Sequence, residues 1–180
     1  MPRLACPEEP GVALHVVQRG LARAPCFSGP PDRLFYLEAL RQSAARRCAV
    51  HAYALMGNHV HLLVTPARRG DATQLMRALG ERYGRHLARA YGHEDTVWEE
   101  PFDGTPVHAG RYLFWCMRYI ESNPVSARLV REPAAYRWSS YRANALGEDD
   151  PLVTPHPLYC ALGRSREQRC AAYLALFARV

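Results

Sequence analysis

The segment order of this 180-residue chain predicts an α+β fold, a central sheet with helices packed on it. Three observations carry that expectation. Apolar stretches with strand character alternate with helical ones in the order β, α, β, β, α, β, α. The pair Gly57–Asn58 separates two of the strands and marks a tight hairpin turn, which makes that pairing antiparallel. Leu34, Leu37, Leu40 and Ala44 recur at helical spacing, so one face of that segment is apolar.

Ala13 to Arg19 reads as the first strand, ended by Gly20. Residues 21–31 contain Pro25, Gly29, Pro30 and Pro31 and read as a loop. Asp32 is placed to cap a helix that runs to about Arg47. Ala49 to Leu55 and Val60 to Thr65 form the hairpin, and Pro66 stops it. Asp71 is a candidate cap for a helix from Ala72 to Ala90. Residues 91–108 read as loop plus one short strand. Ala109 to Ser122 reads as a helix closed by Asn123–Pro124, because proline lacks the N–H that the helix needs. Val125 to Val130 adds a helical turn or two, and a last helix spans Ser165 to Ala178. The expected organisation is one domain over 1–180, with 1–10 a loose lead-in and 131–180 a C-terminal extension.

Composition narrows the class. Hydrophobic residues make up 48% and charged residues 22%, the profile of a soluble globular protein. No apolar run reaches the roughly 18 residues of a membrane span, and Met1 to Pro10 lacks the pattern of a signal peptide, so the expected location is cytoplasmic and nucleoid-associated. The six cysteines contain no C-x-x-C pair and are expected as free thiols. The net charge is +6, and all 23 basic residues are arginine. Guanidinium groups grip phosphate bidentately and stack on bases, so the balance suits a nucleic-acid partner.

His59 and His61 stand two apart on a strand, which sends both imidazoles to one face and Val60 to the other. Two imidazoles on a rigid strand make half of a metal site; the bland alternative is a half-exposed strand face. His51 on the neighbouring strand is placed to reach the same side. His15, His86, His93, His108 and His156 have no comparable spacing and read as structural or surface. Tyr119 and Asn123 are four apart on a helix and share a face, offering a hydroxyl and a carbonyl oxygen to one target. Glu121 points off that face and reads as solvated. Arg77, Arg82, Arg85 and Arg89 give one helix a basic side, either a solvated face or a DNA-facing one, and Arg111 and Arg118 are further candidates to hold a DNA backbone.

The segment Met56-Gly57-Asn58-His59-Val60-His61-Leu62-Leu63-Val64-Thr65-Pro66 resembles the HUH segment of single-tyrosine transposases of the insertion-sequence 200-like superfamily, and more narrowly that of REP-associated tyrosine transposases. Tyr119-Ile120-Glu121-Ser122-Asn123-Pro124-Val125-Ser126-Ala127 resembles the tyrosine helix of that family. His15 to Gly20, Trp138 to Tyr141 and Thr154 to Tyr159 agree with it too. The resemblance implies a ferredoxin-like fold with the histidines on a central strand. It implies His59 and His61 as metal ligands, Asn123 as third ligand where insertion-sequence relatives place glutamine, and Tyr119 as nucleophile. The implied cofactor is Mg²⁺ or Mn²⁺. The implied partner is single-stranded DNA with hairpin or inverted-repeat structure, bound by a monomer or homodimer. The implied reaction cleaves and rejoins strands through a 5′-phosphotyrosine. In Trp98-Glu99-Glu100-Pro101-Phe102 the chain departs from its relatives, which usually carry arginine where Pro101 stands. That departure keeps open a catalytically inactive hairpin-binding module. A zinc hydrolase using the H-x-H pair is a third reading, and it requires a further histidine or carboxylate ligand.

Overall fold

The computed structural model describes residues 8–92, 97–108 and 110–177. Its elements are strand β1 (Ala13–Arg19), helix α1 (Pro30–Ala44), β2 (Cys48–Leu55), β3 (His59–Pro66), α2 (Asp71–Tyr91), β4 (Asp103–Val107) and α3 (Arg111–Ser126). Three helices follow: α4 (Tyr141–Leu146), α5 (Pro157–Cys160) and α6 (Arg166–Phe177). All strand pairings are antiparallel, in the order β2-β3-β1-β4, so β3 is a central strand. This is the α+β, ferredoxin-like β-α-β-β-α-β arrangement expected from the sequence. Among the described residues, no helix is long and apolar enough to cross a membrane. Most of the expected lead-in, Cys6, His93, Ala109 and Ala178 lie outside the described residues.

The pleat sorts the sheet into two faces. Leu14, Val16, Val60, Leu62 and Val64 are buried under α1 and α2. Ala52, Ala54 and Leu63 are buried on the other side, with Leu113, Cys116, Met117 and Ile120 of α3. One-residue alternation around Val60 therefore puts His59 and His61 on the α3 side of the sheet.

Several local expectations are corrected. Pro30 and Pro31 open α1 instead of closing the loop before it, because the first helical N–H groups have no intrahelical partner to lose. Asp32 sits inside that first turn, fully buried, and accepts from Ser28 N at 2.8 Å, His86 Nε2 at 2.9 Å and Tyr91 OH. Asp71 does not cap α2; the cap is Gly70, whose φ of 88° suits glycine, and the Glu8 carboxylate accepts from Ala72 N and Thr73 N. Helix α3 runs through Pro124 for one more turn, closed where Ala127 N donates to Asn123 O at 2.8 Å. Only the ladder bond of a single proline is lost, and Pro124 is buried, so packing holds the turn. Helix α4 forms in the stretch that reads as turns, and the expected last helix, α6, packs on α4 and on α3.

Candidate active site

The hairpin turn sets the site. Met56 N donates to His59 O at 2.9 Å and closes Gly57–Asn58, which brings His59 up at the very start of β3. Asn58 Oδ1 accepts from His59 Nδ1 at 2.7 Å. With that proton on Nδ1, the Nε2 lone pair of His59 is left for a metal. The His59 and His61 rings stand 4.9 Å apart.

His61 is held from both nitrogens. Nδ1 faces His15 Nε2 at 3.0 Å, and Nε2 faces the Asn123 side-chain amide nitrogen at 3.2 Å. Proton on Nδ1, donated to His15, again leaves Nε2 as the acceptor. His15 thus orients the His61 ring, a role its isolated position in the sequence gave no sign of. Its partner is set by the β1–β3 register, in which Val17 lies opposite His61 and His15 opposite Leu63.

Burial keeps these rings neutral. It pulls the His61 pKa down to about 3, helped by the neighbouring charges of His15 and His59, and pulls His15 down to about 4. His59 is lowered in the same direction by burial, then by Arg19, which lies opposite it and is paired with Asp103. Neutral imidazoles offer lone pairs without first shedding a proton.

Helix α3 supplies the rest. Tyr119 lies edge-on to His61 at 5.7 Å between ring centroids and to His15 at 5.9 Å. It is 43% exposed, and its hydroxyl makes no hydrogen bond among the described residues. Asn123, one turn on, meets His61. The structure therefore brings together His59, His61, Tyr119 and Asn123, and adds His15. Among the described residues, no three of His, Cys, Asp and Glu form a metal-binding group, so a third protein donor must be of another kind. The Asn123 side chain stands against His61, where its amide oxygen could serve as one, to give a mixed set of two imidazoles and one oxygen.

Two candidates fall elsewhere. His51 does not join the cluster: it is buried, with Nδ1 against Thr154 O at 2.7 Å and Nε2 against Thr65 Oγ1 at 2.8 Å, beside the register shift between Val50 and Ala52. Glu121 is not solvated. It is fully buried and accepts from Ser140 Oγ at 2.6 Å, Asn144 Nδ2 at 2.8 Å and Tyr173 OH at 2.7 Å. Burial raises its pKa to about 7 against the pull of those three donors. The partners come from α4, its N-cap and α6, so no helix-wheel argument on α3 alone could find them.

The arginines divide. Arg77, Arg82, Arg85 and Arg89 lie on α2, on the opposite side of the sheet from the imidazoles; Arg77 pairs with Glu81, and Arg82 bonds Gln42 of α1. Arg118 donates to Leu176 O at 2.7 Å and is spent on anchoring α6. Arg111 is exposed at the start of α3. Pro101 also lies on the α2 side, where it lines a cavity of about 460 Å³ with Gln18, Met76, Gly84 and Phe102.

The IS200-like transposase family matches residues 10–123. A solved REP-associated tyrosine transposase bound to a REP hairpin is similar over 87% of this chain and 93% of its own, with TM-score 0.70 and 14% identity. A transposase from Deinococcus radiodurans R1 is similar over 67% of this chain and 96% of its own, with TM-score 0.46 and 14% identity. No curated protein matches the chain.

Proposed function

The chain belongs to the IS200-like transposase family, and we propose that it cleaves and rejoins single-stranded DNA at or near hairpin-forming repeats through a 5′-phosphotyrosine on Tyr119. One observation carries this reading: Tyr119 and Asn123, a turn apart on α3, face the His59–His61 pair of β3. His59 Nε2, His61 Nε2 and the Asn123 amide oxygen, exposed by turning the amide over, would hold Mg²⁺ or Mn²⁺, which when bound draws charge from a non-bridging phosphate oxygen.

Tyr119 does the covalent chemistry. Its hydroxyl gives its proton to solvent, and its oxygen forms a bond to phosphorus while the bond from phosphorus to the 3′ oxygen breaks. The 3′ oxygen takes a proton and leaves as a hydroxyl. One ester replaces another, so the energy of the phosphodiester is kept and the 3′ hydroxyl can attack in reverse to rejoin strands. Asn58 and His15 hold the tautomers of His59 and His61, and α3 holds the hydroxyl beside them. Pro101 lies on the far side of the sheet, so its replacement of arginine does not touch this group.

The test is incubation of end-labelled hairpin DNA with single-stranded flanks and Mn²⁺. The parent chain is expected to give cleaved DNA and a covalent protein–DNA band, and Tyr119→Phe neither. Equal cleavage by Tyr119→Phe would sink the assignment and favour water as nucleophile. Binding by the parent without cleavage would favour a module that recognises hairpins only.

A further inference from the structure

The outward face of α3 carries a ladder of rings. Tyr112, Trp115 and Tyr119 are 49%, 53% and 43% exposed. Tyr112 stacks on Trp115 with centroids 5.5 Å apart, and Trp115 on Tyr119 with centroids 5.4 Å apart, each pair within 10° of parallel. Parallel rings at that spacing are offset stacks, which leave part of each face open. The ladder spans eight residues, seven helical steps or about 10 Å along the axis, and its last rung is the proposed nucleophile.

Large aromatic rings gathered on a surface mark a place where something binds. We propose that Tyr112 and Trp115 form a stacking platform for an unpaired base of single-stranded DNA beside the scissile phosphate, an inference that rests on Tyr119 being the nucleophile. Continuity with Tyr119 selects this occupant. A protein partner that covered the ladder would also cover the hydroxyl that must reach phosphorus. A base flanking the phosphate has to lie next to that hydroxyl, and every base has a π-face to lay on a ring whatever its sequence. Arg111, exposed immediately before Tyr112, supplies a cation at the same end of the helix for the adjoining backbone. The platform positions DNA at the site and leaves hairpin recognition to other surfaces.

Trp115 reports on its own occupancy. Of the three tryptophans, Trp98 and Trp138 are buried, so DNA that stacks on the surface meets Trp115. The experiment titrates the whole chain, with chelator present, with a DNA hairpin carrying a single-stranded oligothymidylate flank, and repeats it with the flank made abasic. Tryptophan emission should fall with the thymidine flank and stay level with the abasic one. Trp115→Leu should bind the thymidine flank about 10-fold more weakly, the size typical of one lost base stack, and the abasic flank as the parent does. Tyr112→Leu should weaken binding in the same flank-dependent way, by less.

Unchanged emission at saturation, equal affinity of Trp115→Leu for the thymidine flank, or failure of that flank to bind would each overturn the platform. So would a change of DNA-free Trp115→Leu from dimer to monomer in sedimentation with no effect on the flank, because the face would then belong to a second copy. Because chelator stops cleavage, quenching without any covalent band in the Mn²⁺ assay would keep Tyr112 and Trp115 as a surface that stacks single-stranded bases, and would sink the nuclease reading together with the platform's place beside a scissile phosphate. A covalent band without quenching would do the reverse.

Discussion

Helix α3 has two polar faces that differ in how well they are bonded. On the inner face, Glu121 is fully buried and meets three donors from the C-terminal segment. On the outer face, Tyr119 is 43% exposed with its hydroxyl unbonded among the described residues, and the Asn123 side chain meets His61 at 3.2 Å through its amide nitrogen. Both faces belong to one run of five residues. The difference separates two duties. A group that fixes the helix must satisfy its bonds within the protein, and a group that meets a substrate must leave them open.

The largest effect should come from the inner face. Glu121→Leu leaves the Ser140 hydroxyl, the Asn144 amide and the Tyr173 hydroxyl without their shared acceptor. Unsatisfied buried groups cost about 1–3 kcal/mol each, with incomplete addition, so a loss of about 3–5 kcal/mol in urea unfolding is expected. Glu121→Gln keeps one carbonyl acceptor and should recover part of that. If Glu121→Leu unfolded at the parent's midpoint, the inner face would not be what fixes α3.

The two faces should also respond to pH with opposite sign, measured on chelator-treated protein. His15 and His61 have folded pKa values of about 4 and about 3, held down by burial. Their unfolded counterparts take up protons near 6.5. Their contribution is full above about 6.5 and is lost as pH falls toward 4 and 3. Buried His51, also at about 4, adds in the same direction. Glu121 is the reverse: its folded pKa of about 7 exceeds the unfolded carboxyl value. Its contribution is full below about 4.5 and is lost as pH rises to 7. Relative to the parent, Glu121→Gln should therefore gain stability between pH 5 and pH 8. Parallel stability curves for the two proteins would contradict this.

A smaller effect is expected at His15. His15→Ala removes the acceptor that sets the His61 tautomer while leaving His59 and His61, the proposed ligands, in place. Loss of such a partner typically lowers metal affinity about 10- to 100-fold. Calorimetric titration with Mn²⁺ checks it, and unchanged affinity would make His15 a packing residue only.

What the sequence made legible follows the same division. That His59 and His61 share a strand face was readable because alternation is local, and that Tyr119 and Asn123 share a helix face because helical spacing is local, while the roles proposed for them came from the family resemblance. The hairpin and the segment order were enough for a sheet with helices packed on it, while the ferredoxin-like arrangement came from the family resemblance. His15 was not readable, since its meeting with His61 depends on the register of two strands far apart in the chain. Glu121 was misread for a related reason. A helical wheel states which residues share a face, not what packs on it, and the partners at 140, 144 and 173 come from elements later in the chain. The turn at Pro124 was misread because a local rule about proline was outweighed by burial.

The smallest thermal effect belongs to the proposed nucleophile. Tyr119→Phe removes one exposed hydroxyl with no bond among the described residues and keeps the ring against Trp115, His15 and His61. Surface substitutions of this kind change stability by no more than about 0.5 kcal/mol. The unfolding midpoint should therefore stay with the parent's while the covalent adduct disappears. A clear loss of stability in Tyr119→Phe would show that the hydroxyl is bonded in the resting protein, and the outer face would then resemble the inner one. Equal stability with no adduct would keep the two faces distinct, because the only thing lost would be a bond to DNA that the resting protein never makes.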